Sequence, residues 1–392
     1  MKNEATKIQL LGCDQNELDE LVVQAGQPEY RGRQLFEAVY RQRLATVDEI
    51  STLPAELRRQ FVSQGIGVGM PKIVNRFTSV DGTVRYLIGF EDGASVETVW
   101  MPEGDGGESG DGSEAGDESP ASSRGWSRAT ICVSSQVGCA VDCQFCLTAA
   151  LGVKRNLQAG EIVGQICAVL KDQVVKPPQE RVNIVFMGMG EPFLNYDAFM
   201  KAARLAVQGV GIPESRMTVS TAGIVPRIHQ LGQENIRPKL AISLNASNDT
   251  LRSRLMPINR KWNLERLMHA AREFPLRSRE KLTFEYVLLN GVNDSAENAR
   301  EVAALIRGMQ AKVNLIALNP GPGIDFKTPD SSRVEDFQRI LIRAAIPAFV
   351  RRPRGRDIFA ACGQLKRTVE LTTIGAAGTT NNHLEADAPD AR

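Results

Sequence analysis

The sequence predicts an α/β protein in which a parallel sheet, curled into a partial barrel or left open, carries helices on its outside. Three observations predict it. Strand-like and helix-like segments alternate six times after residue 129, two Asp-Gly dipeptides punctuate a short alternating stretch before them, and helical periodicity occupies the first 67 residues. A chain of 392 residues has room for one large domain of about 250 residues and a smaller one.

Residues 1–70 read as a small helical module. Apolar residues recur at helical spacing over 17–25 and 32–42, Thr46 resembles a cap before a short helical turn reaching 53, and Pro54 opens a further helix to 62. Arg31, Arg33, Arg41, Arg43, Arg58 and Arg59 read as its exposed arginines, either a solvated face or a grip for a polyanion. Residues 71–102 hold three alternating segments, 73–77, 84–90 and 95–100, separated by Asp81-Gly82 and Asp92-Gly93. Those dipeptides favour hairpin turns, so an antiparallel meander is expected.

Residues 103–127 are nearly empty of apolar side chains and should form a disordered acidic insertion; the tail at 371–392 reads the same way. Residues 128–350 carry the repeat. Candidate strands are 130–134, 182–187, 217–220, 239–244, 282–288 and 313–318. Candidate helices are 159–169, 196–207, 225–231, 264–274, 296–309 and 333–345. In such a sheet ligands bind at the C-terminal ends of the strands. Residues 351–370 form a C-terminal segment.

The formal net charge of +1 conceals a divided chain. Seven acids and one base give the 103–127 insertion −6, and three acids and one base give 371–392 −2, which leaves +9 on the remainder. Such a balance suits a polyanionic partner without requiring one. The start at Met1, Lys2, Asn3 and Glu4 shows no signal peptide, and no run reaches the ~18 apolar residues of a membrane span, so a soluble cytoplasmic protein without membrane contact is expected. A monomer is the default.

Seven cysteines, an odd number with three inside eight residues, point to metal ligation or redox catalysis over a disulfide framework. Cys139, Cys143 and Cys146 have the spacing C-x3-C-x2-C in the loop after the first candidate strand of the repeat. Three thiolates so placed can reach three irons of a 4Fe-4S cubane and leave the fourth open for the amino and carboxylate groups of S-adenosylmethionine (SAM). An electron delivered through the cluster then breaks the sulfonium bond to give a 5′-deoxyadenosyl radical. A three-cysteine zinc site is the alternative, but His229, His269 and His383 have no ligand-like spacing to the triplet, and Phe145 just before the third cysteine favours the cluster.

Gly188-Met189-Gly190-Glu191-Pro192 follows the second candidate strand. Its exposed backbone and the Glu191 carboxylate offer acceptors for an ammonium group. Ser220-Thr221-Ala222-Gly223, Ser243-Leu244-Asn245 and Asn319-Pro320 end the third, fourth and sixth strands. Each is a common strand exit, but together they make a polar rim suited to ribose and carboxylate groups. Cys132, inside the first strand, and Cys362, in the 357–365 stretch, would ordinarily be small inert hydrophobes.

In order along the chain, the 134–146 stretch from Ser134 to Cys146, Gly188 to Pro192, Ser220-Thr221, Ala241 to Leu244, Asn314 to Pro320 and Ala360 to Leu365 together resemble the RlmN family of radical SAM methyltransferases, over residues 32–367. That family acts on C2 of adenine in 23S ribosomal RNA and transfer RNA. The resemblance implies a radical SAM partial (β/α)6 barrel and an RNA-binding N-terminal domain. It implies cluster ligands at Cys139, Cys143 and Cys146, and SAM contacts at Gly190, Glu191, Ser220, Ser243, Leu244, Asn245 and Asn319.

It also implies catalytic roles. Cys362 takes a methyl group from one SAM, a second SAM supplies the radical that activates it, Glu97 removes the C2 proton, and Cys132 attacks the Cys362 sulfur to release product and leave a disulfide. An electron donor for the cluster and a reductant for the disulfide are therefore implied partners. Two departures stand out: Asn245 replaces the family's usual histidine, and the family's loop is short where this chain has the acidic insertion. The related enzymes that methylate C8 of adenine share the cysteines, and a non-catalytic iron-sulfur RNA-binding protein remains a reading from another class.

Overall fold

The structure, a computed structural model, describes residues 8–103, 126–361 and 363–365. Most of the expected acidic insertion and all of the 371–392 tail lie outside the described residues, as does Cys362.

Three helices open the chain. Asp14 and Glu17 reciprocally cap α1 (Gln15–Gln24), the side chain of each accepting the other's backbone N–H. Helix α2 (Tyr30–Phe36) widens into a π turn over Glu37–Arg41, the expected short turn is a single 3-10 turn at Val47–Glu49, and α3 (Ala55–Ser63) begins behind Pro54. These helices share one continuous apolar core with the barrel. Arg43 corrects the reading of an all-exposed arginine set: it is buried at 7% exposure, and its Nη2 donates to the carbonyl of Val175. It fastens the module to the barrel instead of facing solvent.

One ten-stranded sheet organises the rest. Strands β1 (Lys72–Thr78), β2 (Val84–Gly89) and β3 (Ser95–Glu103) form the antiparallel meander, turning at Asp81-Gly82 and Asp92-Gly93. β3 also pairs antiparallel with β4 (Arg128–Cys132), Val99 opposite Cys132, so the meander continues the barrel sheet. Beyond β4, a two-stranded ladder of β5 (Gln136–Gly138) and β6 (Val153–Asn156) brackets the cysteine triplet. Then come β7 (Val182–Phe186), β8 (Met217–Thr221), β9 (Lys239–Ser243), β10 (Leu282–Leu288), β11 (Ala311–Ala317) and β12 (Ala348–Val350), all parallel to β4.

The crossovers are α4 (Ala159–Asp172), α5 (Tyr196–Leu205), α6 (Val225–Gly232), α7 (Asp249–Leu255) with α8 (Leu264–Glu273), α9 (Ala296–Ile306) and α10 (Ser331–Arg343). Six strand-helix units therefore stand where the sequence places them, in a mixed α/β fold with a parallel sheet. Three elements carry no expectation: the β5–β6 ladder, α7 and β12. The first and last are three- or four-residue strands, too short to show a period of two, and α7 is seven residues long with too few apolar positions to declare a helical stripe.

Candidate active site

The cysteine loop is held by backbone. Gly138, at φ +83°, lies so close to Gly152 that a Cβ would meet its carbonyl oxygen at 1.8 Å, so only glycine lets β5 and β6 close beneath the loop. Cys139 N–H donates to Gly152, Gln144 N–H to Leu255 and Leu147 N–H to Gly363. All three thiols are half-buried, and Cys139, Cys143 and Phe145 pack on a separate apolar cluster that includes Leu255, Met256 and Leu318. Burial pushes the Cys139 thiol up to about 12, with Cys146 and Glu191 adding to it. Cys143 is raised well above its usual range by burial and its two sister thiols, against which Arg252 pulls down. Two neighbouring thiols that resist ionisation, Cys139 and Cys143, favour a cationic occupant.

The turn at 188–192 is zipped to the segment leading into that loop. Gly188 N–H donates to Val133, Ser135 and Gln136 N–H donate to Met189, and Glu191 N–H donates to Gln136 Oε1. A Cβ on Gly190, at φ +100°, would lie 2.5 Å from Gln136 Cβ. The two glycines are thus explained by close backbone approach. Glu191 is buried, its Oε1 accepting from Phe193 N–H at 3.0 Å and its Oε2 from Ala222 N–H at 2.7 Å; burial still raises its carboxyl to about 7.

Strand ends β8 and β9 bring Ser220 and Ser243 together, their hydroxyl oxygens 3.3 Å apart. Leu244 is fully buried. Asn245 sits at φ +56°, a conformation asparagine tolerates, and its side chain is engaged: Oδ1 accepts from Val287 N–H at 2.8 Å and Nδ2 lies 3.2 Å from Met256 Sδ. This side chain ties the β9 exit to β10. Asn319 is different, for it is 7% exposed and its Oδ1 has no hydrogen-bond partner among the described residues.

Asn319 lines a cavity of ≈450 Å³ inside the barrel, together with Cys132, Cys146, Ala361 and Gly363. Strand alternation sets its wall, since Thr130 and Cys132, Asn183 and Val185, Thr283 and Glu285, Asn314 and Ile316 all face inward. Ser220 and Ser243 continue the same faces: Ser220 follows inward Thr218, and Ser243 pairs with Glu285. Gly190, Glu191, Leu244 and Asn245 do not line this cavity but stand at its C-terminal rim.

Glu97 lies on the face of β3 that carries Val99 and Met101, the residues opposite Cys132 and Thr130. It is wholly buried and ion-paired with Arg85, Nη1 to Oε1 at 2.7 Å, while Arg85 stacks on Phe77 at 4.3 Å. Gln165 of α4 fixes this corner. Its Oε1 accepts from Thr98 Oγ1 and Ser134 N–H, its Nε2 donates to the Ser134 carbonyl, and Ser134 Oγ donates to the Glu97 carbonyl.

The Radical SAM superfamily model matches residues 133–303, the stretch from the β4 exit to α9. A relative from Koribacter versatilis, a probable dual-specificity RNA methyltransferase RlmN, is 67% identical over 349 residues, covering 89% of this chain and 99% of the relative. The chain belongs to the RlmN family. The dual-specificity RNA methyltransferase RlmN of Syntrophobacter fumaroxidans is 43% identical over 89% of this chain and 95% of its own length. The crystal structure of a radical SAM methyltransferase from Sphaerobacter thermophilus superposes with a TM-score of 0.81 at 41% identity, covering 92% of this chain and 99% of that one.

Membership implies SAM and a 4Fe-4S cluster in general. Three thiols on one short loop of this RlmN-family chain suit such a group, because in a cubane each thiolate binds a different iron. His269 is exposed and paired with Glu273 at 3.1 Å, away from any such role. Sequence reasoning missed Arg85, Gln165 and Arg252. A lone arginine or glutamine inside a helix or strand carries no local signal of burial, and only the register that faces it inward reveals it.

Proposed function

We propose that this chain methylates C2 of adenine in RNA. The substrates are the peptidyl transferase region of 23S ribosomal RNA and the adenine next to the anticodon in transfer RNA, with two SAM molecules used per turnover. The observation that carries the reading is the position of Cys132: it lines the barrel cavity beside Cys146, with Glu97 on the same sheet face and with Ala361 and Gly363, the neighbours of Cys362 in sequence, on the cavity wall. C2 of adenine is electron-poor and no nucleophile, so plain displacement on SAM fails and a carbon radical is needed.

When bound, a 4Fe-4S cluster supplies the electron that turns SAM into a hydrogen-abstracting radical. The chain's own residues do the remainder. The Cys362 thiolate takes the methyl group from a first SAM by displacement and presents it as the carbon to be activated. Arg85, ion-paired with Glu97, orients the carboxylate that accepts the C2 proton. Once the base adduct has given up its C2 proton and one electron, which a bound cluster would take back, the Cys132 thiolate attacks the Cys362 sulfur and breaks its bond to the transferred carbon. That carbon leaves with the electron pair and takes a proton to become the methyl group of the freed base, and a disulfide remains that a reductant must open. Asn319 Oδ1, buried at the cavity and without a hydrogen-bond partner among the described residues, accepts from a SAM donor group. Arginines of the N-terminal module grip phosphates while the adenine is presented unstacked.

Nucleoside mass spectrometry decides the chemistry. Both RNA classes from cells lacking the protein should lose 2-methyladenosine, and its appearance as 8-methyladenosine in a treated RNA fragment would overturn the C2 assignment. Cys132→Ala should trap a covalent protein–RNA adduct through Cys362, and Cys132→Ala with Cys362→Ala should not; free turnover by Cys132→Ala would remove the resolving role.

A further inference from the structure

The largest fully buried side chain among the described residues is a cation, Arg252 of α7. Its Nε donates to the Leu244 carbonyl at 3.1 Å, Nη2 to those of Ala222 at 2.7 Å and Ser243 at 3.0 Å, and Nη1 to Asn259 Oδ1 at 3.0 Å. Every one of these acceptors is neutral. Among the described residues no carboxylate lies within ion-pair distance of it, and Asp249, one turn earlier, spends its Oδ1 on Asn259 Nδ2 and Leu264 N–H. Hydrogen bonds satisfy the donors but leave a desolvated charge without a counter-ion, which is costly unless an anion arrives.

The helix that carries this charge is the floor of the cysteine loop. Leu255 accepts the Gln144 N–H at 3.0 Å, and Leu251, Leu255 and Met256 pack with Cys139, Cys143 and Phe145. In a cubane held by three thiolates the ligands outweigh the two positive charges of the oxidised core, and reduction adds a further negative charge.

We propose that Arg252 is the counter-cation of the cluster, favouring its reduced form while positioning the β8 and β9 ends that carry the SAM rim. This rests on the radical SAM reading of the triplet. The charge matters most after reduction, because a neighbouring cation stabilises the more negative state more strongly. One residue thus couples electron entry to the shape of the site that uses it.

The test is an EPR-monitored redox titration of the anaerobically reconstituted full-length protein without SAM. At the wild-type midpoint the ratio of reduced to oxidised cluster in Arg252→Gln should be about tenfold lower, a midpoint about 59 mV lower for one electron. Arg252→Lys, keeping the charge but not the fork of donors, should keep the midpoint near wild type while binding SAM more weakly. A purely structural residue would weaken SAM binding in both variants and leave both midpoints unchanged, and that result overturns the proposal. If Arg252→Gln does not hold a cluster, Asp249→Asn decides, since it keeps the Oδ1 acceptor and removes a nearby negative charge. Its midpoint should rise, and an unchanged or lowered one overturns the proposal. Wild-type protein that takes up no iron and gives no EPR signal would instead overturn the cluster reading itself.

Discussion

Glu191 shows how much one buried carboxyl can weigh. Raised to about 7 by burial, it keeps a proton in the folded state that the unfolded chain releases near the ordinary carboxylate range. Its contribution to stability is therefore full at acid pH, falls as pH rises from about 4.5 to about 7, and is flat above, a change of about 3 kcal/mol. Urea unfolding of the cluster-free protein across pH 4 to 8 should show that slope in wild type and not in Glu191→Gln. Arg85 is the converse case. Removing it as Arg85→Ala takes an ion-pair partner from the buried Glu97, which should cost about 3–5 kcal/mol by the same measurement. Gly190→Ala forces a Cβ against Gln136 at positive φ, and a loss of about 1–3 kcal/mol is expected in thermal unfolding. The pentapeptide 188–192 was readable as a ligand turn from its composition. Its zipper to residues 133–136 was not, because the partners lie about 55 positions away.

At the scale of elements, the helices and strands that sequence periodicity reveals are those with an apolar face and enough length to repeat it. Helix α4, with an unbroken buried run from Ile162 to Leu170, and strand β10, buried over most of its length, are of this kind. Helix α7 is not, yet it supports the cysteine loop and buries Arg252. Gln165 makes the same point from inside a legible helix, since its amide joins β3 to the β4 exit across 31 and 67 positions. Gln165→Leu should strand Thr98 Oγ1 and both backbone groups of Ser134, costing about 1–3 kcal/mol. Faster amide exchange at Ser134 than at Ile184 in the neighbouring strand would locate the loss.

Across the whole molecule, the last described segment closes the barrel. Asp81 accepts from Gly355 N–H at 3.0 Å, Asp357 accepts from Ser79 Oγ at 2.5 Å and from Val80 N–H, Gln364 donates to Pro320 at 2.6 Å, and Gly363 accepts from Leu147. One end of the strap therefore rests on the meander turn and the other on the cysteine loop. Hydrogen bonds hold Asp81 below the usual carboxylate range, so its support is present above the ordinary pKa and is lost as pH falls through the lowered one. Protection factors over 355–361, taken relative to the intrinsic exchange rate at each pH, should fall at acid pH and in Asp357→Ala at neutral pH, and unchanged protection in that variant would show the strap held by other contacts. The meander, read as a separate unit, turns out hydrogen-bonded to β4, which is what puts Glu97 on a common face with Cys132.

Local pattern by itself determined the alternation of strands and helices, the cysteine spacing and the rim residues at strand exits, because each is written within a few neighbouring positions. The tertiary structure alone decided which of those residues are spent on the fold and which face the cavity. Glu191 and Asn245 are committed to backbone donors, Asn319 keeps an acceptor open among the described residues, and Arg252 is buried on the helix that supports the cysteine loop. The reason is that burial and hydrogen-bond partnership depend on strand register and helix docking, which bring together residues remote in sequence.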